Sequence, residues 1–410
     1  GGTSLQNIRG DIEFGRGAMT LTGFELRAPG FTQLQASGRL EKTADRLSFA
    51  GPVEISSGDP RAFTDWFDGK PGASLLTSRP VRLRGEVMSG ANGIEISRLQ
   101  AEFDRRTFEG HVAYRTGHGT ERPRFEAGLR ADELDVDALL GAADAVTAFA
   151  DLKQPHDGAI DLSLKRLRFA GLEGENAEIR ASLDAGALSV EKLAVADLAG
   201  LAIDGKGRID LQAQRGSIAF NLAIQDPKGL SALAGRATPR LTAPLERAAQ
   251  AAAPAKLAGN LSVEPADRSG DSRATLSLEG PLGAMTLKLK AALSGRWSDP
   301  GQAEIALESS LDAADVNALL KLAAAERAVV VPPQPGTYAL SLKGGLADTL
   351  NIDTRITSAN LDARANGSVR AFAAEANRTS LDVAIARADL ALPGQAATIP
   401  LALKTRLVSD

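Results

Sequence analysis

The sequence has no cysteine, only three histidines, and aromatic residues at 4% of its 410 positions. Each shortage removes a class of chemistry. Without cysteine there is no disulfide, no zinc–thiolate site and no thiol nucleophile, which suits a compartment where free thiols are a liability. His111, His118 and His156 are scattered among turn-like residues without metal-ligand spacing, and read as surface histidines. No stretch approaches the roughly 20 apolar residues of a membrane helix, and no signal-peptide pattern is present. The chain opens with GGTSLQNIRG and not with Met, as expected of a processed product or an excerpt, so any membrane anchor lies outside this stretch. A net charge of −4 with both signs interleaved gives no basic stripe, which argues against nucleic acid as a partner.

Catalytic signatures are missing as well. Neither G-x-S-x-G nor H-E-x-x-H occurs. The segment GLAIDGKG, 200–207, imitates a phosphate-binding loop through Gly200, Gly205 and Lys206. It lacks the Ser or Thr that must follow the lysine to hold magnesium, and GRIDLQA, which begins at Gly207, alternates as a strand does. The expectation is a protein without enzymatic activity, cofactor or metal.

What the chain does have is alternation. Hydrophobic residues make up 43%, mainly Ala, Leu, Val and Ile, and they fall at every second position in AIDLSLKRLRF (159–169), RATLSLEG (273–280), AMTLKLKAALSG (284–295) and TYALSLKGG (337–345). That period belongs to strands with one buried face. Leu162 and Leu164 lie in the first of these, and Leu340 and Leu342 in the last. Leu276 and Leu278 on one arm and Leu287 and Leu289 on the other read as a hairpin, turned by Gly280, Pro281 and Gly283.

Four segments break the alternation and align on an aspartate: DPRAFTDWF from Asp59, DVDALLGAA from Asp135, DPKGLSALA from Asp226 and DVNALLKLA from Asp315. The fourth residue after each Asp is Phe63, Leu139, Leu230 or Leu319, the spacing of a short amphipathic helix. Each segment follows a strand and precedes a Pro-bearing connector. The chain therefore divides into repeated units of several strands plus one short helix: 1–70 (helix about 59–68), 71–150 (about 135–149), 151–256 (about 226–235, with an Ala/Pro-rich linker at 237–256), 257–335 (about 315–327), and 336–410, which lacks its helix.

Asp132, Asp135 and Asp137 invite a calcium reading, because closely spaced carboxylates suit that ion. The other copies argue against it: Asp137 corresponds to Asn317, and Pro60 and Pro227 directly follow Asp59 and Asp226. An Asp followed by Pro is a helix start, in which the carboxylate accepts from free backbone N–H groups. Asp59, Asp135, Asp226 and Asp315 are thus read as helix N-caps. Trp66 falls on the apolar face of the first short helix, and Trp297 falls in the turn SGRWSDPG, as a loop anchor or an outward contact.

The strands running into LRADELDVDALL and SSLDAADVNALL resemble the AsmA-like proteins of Gram-negative bacteria, relatives of TamB and of the bridge-like lipid transfer proteins. The resemblance spans the whole chain as a pattern, and those two segments carry most of it. DPRAFTDWF and DPKGLSALA depart from the Asp-Val-Asp/Asn wording, so their units rest on position and period. The resemblance implies a mainly β fold: an elongated, curled antiparallel sheet with an apolar inner face that shields phospholipid acyl chains between the inner and outer membranes. It also implies a periplasmic location, anchorage in the inner membrane, and a role in outer-membrane assembly. The lipid-facing candidates are then Leu162, Leu164, Leu276, Leu278, Leu287, Leu289, Leu340 and Leu342. Periodicity alone equally allows a closed structural scaffold or partner-binding arm, since a packed sandwich alternates in the same way.

Overall fold

The computed structural model describes residues 5–15, 18–43, 46–67, 79–103, 106–117, 121–135, 157–231, 253–266, 271–296, 302–322, 331–345, 349–369, 379–391 and 398–409. The chain is mainly β and divides into two compact units, Gly1–Leu198 and Ala199–Asp410. That division falls inside the third of the sequence repeats.

The N-terminal unit holds β1 (Gln6–Gly15), β2 (Ala18–Ala28), β3 (Thr32–Thr43), β4 (Arg46–Ser57), the helix α1 (Pro60–Phe67), β5 (Val81–Gly90), β6 (Gly93–Phe103), β7 (Arg106–Arg115), β8 (Arg124–Asp135), β9 (Asp157–Phe169), β10 (Leu172–Asp184) and β11 (Ala187–Leu198). Each strand pairs with the next, antiparallel in every case but one: β8 and β9 run parallel. Directly opposed residues share a face, so the ladders trace rows across the sheet. Leu40, Phe49, Ser89, Ile94, Tyr114 and Phe125 form one such row.

Tight turns serve the short connections. Ala170–Gly171 and Ala185–Gly186 have both residues at positive φ, the type I′ geometry whose twist matches that of the flanking strands. A residue at positive φ interrupts the alternation in β10 while the pairing register around it is kept. In β10, Gly174 and Ala177 are both buried although they stand three apart, with Asn176 at φ 51° between them. Across the ladder, Leu167 and Leu164 oppose these two residues. The apolar set thus changes parity midway along both strands, with no register shift between them. Beside this point Ala131, Leu164 and Ala177 form a buried cluster, against which Phe108, Leu134, Leu162, Leu167 and Val195 pack.

The C-terminal unit holds β12 (Leu201–Asp210), β13 (Arg215–Ile224), β14 (Ala255–Pro265), β15 (Ser272–Leu282), β16 (Met285–Gly295), β17 (Glu304–Ala313), the helix α2 (Val316–Leu322), β18 (Gly336–Gly345), β19 (Leu350–Ser358), β20 (Leu361–Val369), β21 (Thr379–Ala391) and β22 (Thr398–Ser409). All consecutive pairs are antiparallel. The β15–β16 hairpin is tighter than expected. β15 runs through Gly280 and Pro281 to Leu282, which opposes Met285, so only Gly283 and Ala284 turn the chain.

Antiparallel alternation fixes where the Asp-led segments fall. Within the N-terminal unit β4 and β8 point the same way, and within the C-terminal unit β13 and β17 do. In each unit, therefore, both segments leave from one rim. Of the predicted helices, α1 spans 60–67, α2 spans 316–322, and a helical turn covers 227–231. Asp135 ends β8 and is itself buried. The helix expected after it, His118, His156, Trp297 and the linker up to residue 252 lie outside the described residues.

Candidate functional site

The helix starts explain how one margin of the C-terminal sheet is closed. Asp315 Oδ1 accepts from Asn317 N–H at 3.0 Å and from Asn317 Nδ2 at 2.9 Å, while Nδ2 also donates to Val331 O at 3.0 Å. Asp59 Oδ1 accepts from Ala62 N–H at 3.1 Å, and Asp226 Oδ1 accepts from Lys228 N–H at 2.9 Å. A carboxylate in this position satisfies a helical N–H that has no partner within the helix, and its removal costs about 1 kcal/mol. With its start held, α2 drives Val316, Leu319 and Leu320 into the sheet, all buried to 2% exposure or less. Val316 N–H donates to Gln334 O at 2.8 Å, which ties α2 to the chain entering β18.

The face under α2 can be followed residue by residue. The row at the rim reads Leu201, Ile224, Ala255, Leu282, Met285, Ala313, Gly336, Ser358, Leu361, Ala388. Apart from Gly336 and Ser358 these residues are buried. Leu287 and Leu311, one row in, are buried as well. Two further rows then open. One carries Ile218, Leu261, Leu276, Ala291, Leu307, Leu342 and Ile352, and the other Phe220, Gly259, Leu278, Leu289, Ser309, Leu340 and Thr354. Every one of these residues is half-buried. At the far margin Ile209, Val263 and Leu350 are buried again. The result is an apolar stripe, open along its middle and closed at both sides, that runs across the strands.

The lipid-facing candidates divide accordingly. Leu276, Leu278, Leu289, Leu340 and Leu342 stand in the open rows, on one face. Leu287, at 8% exposure, belongs to the buried margin. In the N-terminal unit Leu164, at 4%, is part of the packed cluster beside the parallel ladder, and Leu162 packs against it.

The opposite face of the same strands is ionic. Glu279 pairs with Lys288 at 3.7 Å, Glu308 with Lys343 at 2.9 Å and Asp362 with Arg355 at 2.7 Å, and Arg364 binds Asp353. The hydrogen bond from Lys343, with its charge and that of Lys290, holds the Glu308 carboxyl below its usual range. Arg355 does the same to Asp362. A cavity of about 700 Å³ lies across β14–β19. Its lining alternates about the row of Gly259, Leu278, Leu289, Ser309 and Leu340. Asn260, Ser277, Lys290, Glu308, Ser341 and Asp353 stand to one side of that row and Ala258, Glu279, Lys288, Ser310, Ala339 and Arg355 to the other. By strand parity those side chains occupy the ionic face. Leu278, Leu289 and Leu340 of the open row line this hollow together with the charged residues that flank them. Alternation predicts two faces but cannot predict such a hollow, because its shape comes from small residues falling in register on neighbouring strands.

Other sequence features take structural places. Gly205 and Lys206 lie within strand β12, where no phosphate loop forms. His111 is exposed on β7, its ring over Gly128. Among the described residues no cluster of His, Cys, Asp or Glu could hold a metal ion, and no helix is long and apolar enough to cross a membrane. No protein-family model, curated protein or solved structure matches this chain.

Proposed function

We propose that the protein shields acyl chains of phospholipid on the open apolar stripe of the C-terminal unit, as a non-enzymatic lipid-transport protein of the bacterial envelope. The observation that carries this reading is the pair of half-buried apolar rows running through Leu276, Leu278, Leu289, Leu340 and Leu342 between two buried margins. A filled sandwich core would bury these leucines as completely as it buries Leu287.

The energetics make such a surface useful. An acyl chain of about 16 carbons in water exposes CH₂ groups at about 0.8 kcal/mol each, on the order of 12 kcal/mol in all. A stripe of Leu, Ile and Ala removes much of that cost without chemical steps. Adjacent strands lie about 4.8 Å apart, so the seven strands β13–β19 that carry the open rows give a stripe with a contour of roughly 30 Å. The resemblance to AsmA-like proteins points to the periplasm, to anchorage in the inner membrane by a segment outside this stretch, and to outer-membrane assembly.

The test is native mass spectrometry and lipid extraction of the purified chain. Co-purifying phospholipid, lost on Leu278→Arg or Leu340→Arg while the fold persists, is the expected result. A lipid-free protein that unfolds on either change would overturn the proposal in favour of a closed structural scaffold.

A further inference from the structure

The rim of the N-terminal unit beside α1 carries aromatic surface that internal packing does not account for. Phe31, in the turn between β2 and β3, is 90% exposed and sits at φ 53°. For a bulky side chain that left-handed backbone is strained, and glycine normally takes the position. The turns Ala170–Gly171 and Ala185–Gly186 place glycine at the second left-handed residue. In the β2–β3 turn the order is reversed: Gly30, at φ 75°, comes first and phenylalanine second. The ring gains almost no burial in exchange for the strain.

The turn does not stand alone. Asp59 N–H donates to Gly30 O at 2.8 Å, and a methyl group on Gly30 would lie 3.0 Å from Phe63 N. The turn therefore abuts the start of α1. On that helix the Phe63 ring centroid is 6.1 Å from those of both Trp66 and Phe67, and Phe67 is 74% exposed. Arg27, near the end of β2, and Arg61, on α1, are exposed on the same rim. Neither has an ion-pair partner among the described residues.

We propose that this rim docks on an anionic phospholipid surface, with the rings of Phe31 and Phe67 entering the interfacial layer and Arg27 and Arg61 meeting lipid phosphates. Aromatic rings are favoured at that depth, and the two unpaired guanidinium groups supply the complementary charge. A protein partner fits less well. A stable protein interface buries about 800 Å² on each side, more than two protruding rings on a turn and a two-turn helix offer. The inference stands apart from the lipid stripe, which lies in the other unit.

The test uses the whole 410-residue chain and sedimented vesicles of phosphatidylcholine with about 30% phosphatidylglycerol, against phosphatidylcholine alone. The chain should bind the anionic vesicles, and in a Trp297→Phe background Trp66 emission should shift to the blue on binding. Phe31→Gly removes the ring and relieves the backbone, so this variant folds at least as well as the parent. Combined with Phe67→Ser it should lower vesicle partitioning by about tenfold or more at unchanged thermal unfolding, the loss expected when interfacial aromatic contacts are removed. Arg27→Glu with Arg61→Glu should abolish the preference for anionic lipid. No binding by the parent, or equal partitioning by the Phe31/Phe67 variant, overturns the proposal. So does a concentration-dependent dimer, formed without lipid, that Phe31→Gly dissolves.

Discussion

A β-carbon on Gly336 would stand 2.7 Å from Val316 Cγ2. The strand β18 can therefore enter beneath α2 only where it carries no side chain, and the fully buried Val316 fills that space. Gly336→Ala should lift α2 and cost about 1–3 kcal/mol, the range for overpacking a close contact. Leu319→Ala should cost about 2–5 kcal/mol by leaving a cavity at the same place. Urea unfolding midpoints check both. A neutral Gly336→Ala would show that α2 is loosely held.

The carboxylate at the start of α2 gives a smaller and separable effect. Asp315→Ala removes the acceptor for Asn317 N–H and for its amide, with an expected loss of about 1 kcal/mol. Asp315→Asn, which keeps an acceptor oxygen, should recover most of it. Hydrogen exchange at Asn317 N–H is the direct readout, and protection unchanged by Asp315→Ala would refute the cap.

Leu287 and Leu340 stand on one face but should respond differently to a charge. Leu287 is buried, so Leu287→Arg should destabilise by several kcal/mol. Leu340, half-exposed in the open rows, should tolerate arginine within about 1.5 kcal/mol and instead lose bound lipid. Thermal melts paired with lipid extraction separate the two outcomes, and equal destabilisation would indicate a closed core.

Acid should weaken the ionic face. Glu308 is held low by Lys343 and Asp362 by Arg355. A carboxyl lowered in the folded state contributes stability that is fully present above its ordinary range, near 4, and is lost as pH falls through the lowered value. Denaturation midpoints followed from pH 6 to 2 should therefore decline below about pH 4, less steeply in high salt. Glu308→Gln with Asp362→Asn should flatten the decline, and an unaltered slope would exclude these pairs as its source.

Strands and helix starts were legible in the sequence because each follows from a local rule. Alternation marks β15, β16 and β18, and Asp followed by a helical spacing marks α1 and α2. Position along a strand is a different matter. Leu287 and Leu289 are equivalent in period, yet the first is buried and the second half-open. The parity change at Asn176 was hidden because a single residue at positive φ brings it about. The parallel β8–β9 ladder was hidden because it pairs strands across 21 intervening residues. Phe31 carries no mark in the sequence, because nothing in the residues around it separates a strained, outward ring from a buried one.

That parallel ladder has a consequence for how such a sheet can change in length. In a purely antiparallel array, adding a single strand sends every later Asp-led helix to the opposite rim, so growth must come in hairpins of two. Where β9 repeats the direction of β8, an odd count is absorbed without that inversion. Duplications or deletions of one strand should be tolerated beside β8–β9 and rejected elsewhere, which makes this ladder the place where the array can be edited one strand at a time.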